Sequence, residues 1–184
     1  PALRVQQSAD DEHHVLELLR RLYVGKRIAT GGSKGGEHAL ERHHLYPGDY
    51  DGVVAYVAPV ITAFPDHRYD GIFDRIGVPA CRDALRAVAH RMLERRAAMA
   101  AEAGLTAGFT VDGVDHATEI AIVELEFSFW MTRGEPDCGQ VPDAATASDA
   151  ALYTFLDDTS PPSGYADDEM DAAGTPYLYQ AYVE

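Results

Sequence analysis

A sequence of 184 residues is long enough to bury one hydrophobic core, so we expect one domain or part of one. Its formal net charge is −15, and the acidic excess lies in the second half of the chain. That charge repels phosphate backbones and excludes nucleic acid as an expected partner, and no apolar run approaches the roughly twenty residues that span a membrane.

The first predicted elements are a helix and a short strand. Val15, Leu18, Leu19 and Leu22 share one helical face, which predicts a helix over residues 9–22 with Ser8 as its amino-terminal cap. Gly25 ends this helix, and "KRIATGG" reads as a strand that stops at glycines.

A second helix and a second strand follow Ser33. "KGGEHALERHHLYP" is typical of a helix that ends before Pro47, and the apolar run "DGVVAYVAPV" predicts a strand buried on both faces. This alternation of helices and strands is typical of a parallel α/β sheet. We therefore expect residues 1–64 to form sheet core.

Residues 65–184 are predicted to be mainly helical. Apolar residues at helical spacing predict one long amphipathic helix over residues 79–103, ending at Gly104. Further helices are expected over 117–131, where a strand is an alternative, and near 148–157, with prolines breaking the rest of 134–176 into loops.

The motif G-x-S-x-G occurs at residues 31–35, between a predicted strand and a predicted helix. This setting is typical of the nucleophile elbow of an α/β-hydrolase, with Ser33 as nucleophile and the Lys34 backbone N–H as one oxyanion donor. The turn requires small residues two positions before and after the serine, and Gly31 and Gly35 meet that requirement. A plain glycine turn and a phosphate-binding loop are the alternatives, although the spacing fits neither common phosphate motif.

A longer stretch strengthens this interpretation. "TGGSKGGEHALERHHLYPGDYDGVVAYVAPV", followed by "GVPACRDALRAVAHRMLERR", "EFSFWM", "ASDAALYTFLDD" and "YLYQAY", resembles the secreted bacterial prolyl tri- and tetrapeptidyl aminopeptidases. The resemblance covers nearly the whole chain. It implies an α/β-hydrolase fold with a helical cap over residues 65–184, a secreted serine peptidase and a peptide substrate, with no cofactor.

The resemblance also implies that catalytic partners of Ser33 are missing. In an α/β-hydrolase the acid and the histidine follow the serine on loops after later strands. Asp66 with His90, and Asp112 with His116, have the right order but lie in or near predicted helices of the cap. We therefore expect an internal segment of a longer enzyme, inactive alone; an esterase or lipase, or a non-catalytic fragment, are the alternatives.

Other candidate residues lie in the second half. Glu124, Glu126 and Trp130 are candidates for binding the substrate's amino terminus, because acids beside aromatics can pair with an ammonium. Cys81 and Cys138 form a disulfide in an exported protein or remain thiols in a cytosolic one, and the resemblance favours the disulfide. No metal site is expected, since His38 and His43 miss the i,i+4 spacing of helical ligands.

Overall fold

The computed structural model describes residues 4–63, 65–105, 108–111 and 113–166. Among these, the residues up to Asp66 form one compact unit and those from His67 onward form another. We call them the sheet unit and the helical unit. Together they give a mixed α/β chain, as the sequence predicts. The loop and the "YLYQAY" segment predicted beyond residue 166 lie outside the described residues.

The sheet unit has the predicted order of helix, strand, helix and strand. Its elements are α1 (Val5–Leu19), β1 (Ile28–Gly32), α2 (Lys34–Leu45) and β2 (Gly52–Tyr56). The two strands are parallel, with a register that runs from Ile28 opposite Gly52 to Gly32 opposite Tyr56. Because α2 connects two parallel strands, both strands end at the same edge of the sheet.

The first helix differs from the prediction at both ends. It begins at Val5 after Arg4, so Ser8 lies inside the helix and does not cap it. The side chains of Gln6 and Gln7 donate hydrogen bonds to Asp10 and Asp11, one turn later, which supports a helix over the earlier residues. The helix also ends at Leu19, three residues before the expected end.

The expectation that the second strand is buried on both faces is wrong for the described residues. Val54 and Tyr56 in β2, like Ile28 in β1, have exposed side chains. The described part of the chain contributes two strands to this sheet. Exposed positions alternate with half-buried ones along β1 and from Val53 to Tyr56 in β2, so one face of the sheet lacks a covering layer. An apolar run of this kind is typical of a strand covered on both sides.

The helical unit contains five α-helices within the described ranges. They are α3 (Pro79–Glu94), α4 (Arg96–Ala103), α5 (Gly113–Val123), α6 (Leu125–Thr132) and α7 (Asp149–Thr159), with short 3-10 turns at Glu135–Gln140 and Pro162–Tyr165. Their apolar faces meet in one core, whose largest fully buried side chains include Phe129, Leu85, Met92 and Met99. No helix in the described ranges is both long and apolar enough to cross a bilayer.

Two predicted helices of this unit are each broken once. The stretch expected as one helix over 79–103 is interrupted at Arg95, whose φ of −114° and ψ of 24° leave the helical region. At this break the Arg95 guanidinium makes a bidentate ion pair with Asp149, the first residue of α7. The second interruption is at Glu124, between α5 and α6. Gly104, in left-handed conformation, ends α4 as predicted.

Candidate active site

Ser33 occupies a sharp turn between β1 and α2. Its φ of 52° and ψ of −127° lie outside the regions that residues with a side chain normally adopt. The Ser33 N–H donates to the carbonyl of Tyr56 (2.9 Å), and the Ser33 carbonyl accepts from Gly36 and Glu37 (2.9 and 3.1 Å). Such strain costs about 1–3 kcal/mol and persists only where surrounding contacts hold the backbone.

Glycines allow the strand and the helix to approach at this turn. A Cβ added at Gly31 would lie 2.3 Å from the backbone carbon and oxygen of Gly35. A Cβ at Gly36 would lie 2.9 Å from the Gly31 carbonyl oxygen, whereas one at Gly35 would meet no atom within 4 Å. The structure therefore requires small residues at 31 and 36, and the expectation that position 35 requires one is wrong.

The start of α2 gives Ser33 an electropositive neighbourhood. Ser33 is exposed, and the next residue, Lys34, is the first of the helix, where backbone N–H groups lack an intrahelical acceptor. The Lys34 ammonium is turned toward Glu37, with Nζ to Oε2 at 3.0 Å. This arrangement provides a hydroxyl beside at least one donor suited to a developing negative charge.

No side chain in the described ranges hydrogen bonds to the Ser33 hydroxyl. Of the histidines considered as its base, His90 is exposed on α3 and pairs with Glu94 (3.4 Å), and His116 is exposed on α5. Asp66 accepts a hydrogen bond from the Thr62 backbone (3.2 Å), and Asp112 lies outside the described residues. Within the described residues, no side chain is therefore placed to take a proton from the Ser33 hydroxyl.

A different carboxylate–histidine pair lies at the other end of the sheet unit. His13 Nδ1 lies 2.9 Å from the buried carboxylate of Asp49, and its ring stacks on Tyr46. Asp49 follows the carboxyl end of α2, whereas Ser33 precedes the amino end, and a helix of 12 residues is about 18 Å long. This pair cannot serve Ser33.

His13, Glu17 and Asp49 also place three donor atoms within 4.8 Å of one another. Two guanidinium groups already neutralise these carboxylates: Arg20 pairs with Glu17 and with Asp49 (3.0 Å), and Arg42 pairs with Asp49 (3.3 Å). Positive charges at that distance oppose a metal cation. The arrangement is an ion-pair cluster that joins α1 to the segment after α2, and sequence spacing gave no sign of it.

The acidic and aromatic candidates lie on or beside α6 in the helical unit. Glu124 precedes the helix and is half-buried, and Glu126 has one carboxylate oxygen, Oε1, without a hydrogen-bond partner in the described ranges. Burial raises the pKa of Glu126, and the Arg86 guanidinium, 3.7 Å from Oε2, opposes that shift. Trp130 packs closely on Gly77, where an added Cβ would lie 2.2 Å from the ring.

Cys81 and Cys138 form a disulfide in the helical unit. Their Cα atoms are 5.4 Å apart, and the bridge links the first turn of α3 to the 3-10 turn after α6. The alternative of two thiols, left open by the residues alone, does not describe this structure.

Sequence reasoning missed one residue beside the elbow. Val57, directly after β2, has a φ of 45°. A valine at positive φ has no sequence signature, because glycine, asparagine and aspartate are the residues that favour this conformation.

Comparison with known proteins identifies the family to which the chain belongs. The sequence matches the family described as PS-10 peptidase S37 over residues 1–184, and the chain belongs to this peptidase family. A prolyl tri/tetrapeptidyl aminopeptidase of Streptomyces mobaraensis is 40% identical over 188 residues, covering 97% of this chain. The match covers 39% of that relative, so the chain spans about two fifths of its length. No solved structure matches the chain. These matches confirm the resemblance predicted from the sequence.

Proposed function

We propose that this chain carries the nucleophile of a serine aminopeptidase with an α/β-hydrolase fold, which releases tripeptides or tetrapeptides ending in proline. The observation that carries the proposal is the backbone of Ser33, strained at φ 52° between a parallel strand and a helix. The peptidase family and the name of the Streptomyces relative support the peptide substrate over an ester or lipid.

In this mechanism the Ser33 hydroxyl attacks the carbonyl carbon of the scissile bond. A histidine contributed from outside the described residues takes the hydroxyl proton and later delivers it to the leaving amine. The Lys34 backbone N–H donates to the oxyanion, and a missing donor of this kind costs about 3 kcal/mol of transition-state stabilisation. Water then hydrolyses the acyl-enzyme.

An aminopeptidase must also recognise a free α-ammonium, and we propose Glu126 as its main acceptor. Its buried Oε1 accepts no hydrogen bond of ordinary geometry in the described ranges, although the Trp130 indole acts to lower its pKa, so an ammonium would satisfy this acceptor. Glu124 contributes a second carboxylate and Trp130 an aromatic wall. A Glu126→Gln variant should raise KM for peptides with a free amino terminus and lower the preference over their amino-acetylated forms.

The helical unit is proposed as the cap of this hydrolase, and the protein as an exported one. The Cys81–Cys138 disulfide supports export, since disulfides persist in oxidising compartments. We further propose that the 184-residue chain alone is inactive, because Ser33 lacks a base within the described ranges.

Ser33→Ala in the full-length protein tests the proposal. We expect release of tripeptides from an amino-terminal substrate to fall by at least about a thousandfold, and a serine-directed fluorophosphonate to label Ser33 in the parent protein. Lys34→Ala, which keeps the backbone N–H, should retain most of the activity. Unchanged activity in Ser33→Ala, or labelling at another serine, would contradict the assignment.

A further inference from the structure

Val57 shares an unusual property with Ser33. These are the two non-glycine residues with positive φ in the described ranges, at 45° and 52°. Val57 is also 85% exposed, so its side chain gains almost no packing energy from the fold. A branched Cβ makes this conformation more unfavourable than for most residues, and strained residues of this kind cluster at functional sites.

The sheet register brings Val57 next to the nucleophile. Gly32 lies opposite Tyr56, and the Ser33 N–H continues the ladder to the Tyr56 carbonyl at 2.9 Å. One further step along the register sets Val57 opposite Ser33, and neighbouring strands lie about 4.8 Å apart. Val57 therefore lies at the carboxyl end of β2, beside the residue that attacks the substrate.

The segment after β2, residues 57–61, is apolar and is held against α2. Val57, Val60 and Ile61 all have exposed side chains. The turn is closed by hydrogen bonds from Val60 N–H to Ala58 (3.0 Å) and from Ile61 N–H to Pro59 (2.9 Å). The Ala58 side chain meets α2 where a Cβ on Gly36 would lie 3.1 Å away, which fixes this segment against the helix that begins at the elbow.

We propose that Val57 forms the apolar wall that contacts the side chain of the substrate residue whose carbonyl Ser33 attacks, and that this contact favours proline. The inference rests on the proposed function. A proline ring is compact, apolar and rigid, and a valine with a restricted χ1 offers it a fixed surface at little entropic cost. Val57 is thus a specificity residue of the acyl site.

The test compares two variants with a matched control in the full-length protein. Val57→Ala removes two methyl groups and keeps a Cβ. Val57→Gly also removes the Cβ, which relieves the backbone strain at positive φ. Val24→Ala is the control, because Val24 is 97% exposed and precedes β1, at the opposite end of the strands. The measurement is kcat/KM on peptides with proline or alanine before the scissile bond.

We expect the proline-to-alanine ratio of kcat/KM to fall about tenfold in both Val57 variants and to stay unchanged in the control. Val57→Gly should have a melting temperature equal to or above that of the parent, which separates lost specificity from lost folding. A ratio within about twofold of the parent in both variants overturns the proposal.

Labelling separates this failure from failure of the proposed function. If a fluorophosphonate modifies Ser33 and the ratio does not move, the Val57 proposal alone is wrong. If Ser33→Ala keeps full activity, the proposed function is wrong and the inference falls with it.

Discussion

The two units of this chain are stabilised by different means. In the helical unit, large apolar side chains such as Phe129, Leu85 and Met92 are fully buried. In the described part of the sheet unit, the buried apolar side chains are two alanines, Ala9 and Ala39, while Arg42 and Asp49 are buried as charged groups. The helical unit therefore depends on apolar packing, and the sheet unit on its hydrogen-bonded ladder and ion pairs.

This difference bears on the site. Ser33 is strained, and the described sheet unit has a small apolar core to offset that cost. We therefore infer that the backbone hydrogen bonds of Ser33 with Tyr56, Gly36 and Glu37 are the main contacts that stabilise its strained conformation. Five substitutions, grouped in four experiments, can break or sharpen the comparison, and each is measured in the full-length protein.

The largest effect is expected from Phe129→Ala. Phe129 is fully buried in the helical core, so its loss leaves a cavity and should destabilise that unit by about 3–5 kcal/mol. Phe127→Ala is the control, because Phe127 is half exposed on the same helix. Hydrogen exchange of α3 and α5, followed by mass spectrometry, measures the change. Equal effects of the two substitutions would contradict a core-dependent helical unit.

Asp49→Asn tests the ion-pair cluster of the sheet unit. The Asp49 side chain is 2% exposed, and its carboxylate faces Arg20, Arg42 and His13. Removing its charge leaves the buried Arg42 undercompensated, and we expect a cost of about 3 kcal/mol, seen as faster exchange in α2. Asp11→Asn, on the exposed side of α1, should change stability by less than about 0.5 kcal/mol. An unchanged rate of hydrogen exchange in α2 of Asp49→Asn would show that the ion-pair cluster contributes little to the stability of the sheet unit.

Gly31→Ala and Gly35→Ala should act in opposite directions. The first puts a methyl group into the Gly35 backbone, which should cost about 2 kcal/mol and lower peptidase activity by displacing Ser33. The second meets no atom and replaces a helical glycine, so it should be neutral or stabilise by up to about 1 kcal/mol. Thermal unfolding and kcat/KM measure both. Activity retained in Gly31→Ala would contradict the close contact of strand and helix.

The smallest effect is a pH dependence in the helical unit. Hydrogen bonds from Arg95 hold the pKa of Asp149 below its ordinary value of 3.8. The ion pair therefore stabilises the folded state above that value, and the stabilisation is lost as pH falls through the lowered pKa. In a plot of the free energy of unfolding against pH, Asp149→Asn should reduce the slope at acidic pH and leave the slope above about pH 6 unchanged. Identical slopes at acidic pH in parent and variant would show that the Arg95–Asp149 ion pair does not contribute to the pH dependence of stability.

The turn at Ser33 could be predicted from the sequence because the residues that mark it are local. Gly31 and Ser33 lie within three positions, and the strand and helix on either side have strong patterns of their own. The requirement at Gly36 was missed because its contacts, the Gly31 carbonyl, Ala58 and the Tyr56 carbonyl, are brought together only in the folded unit. The prediction that position 35 requires a small residue came from the G-x-S-x-G motif, whereas a Cβ at that position would contact no atom.

Other features depend on residues far apart in the chain. The break at Arg95 coincides with an ion pair to Asp149, 54 positions later, while the apolar periodicity continues across it. His13 and Asp49 are 36 positions apart. Val57 has a positive φ directly after β2, and its branched side chain disfavours that conformation, so the sequence does not indicate it. Short-range patterns therefore predict the turn at Ser33, and tertiary contacts decide its surroundings.

The disulfide has a consequence for damage to the chain. Its cysteines are separated by 57 positions, so the covalent ring that it closes includes most of α3 and all of α4, α5 and α6. If another protease cuts one connection inside this ring, both new ends stay tethered through the sulfur bridge. Such a nicked molecule would run as two pieces on a gel only after reduction, while its helices stay assembled in solution.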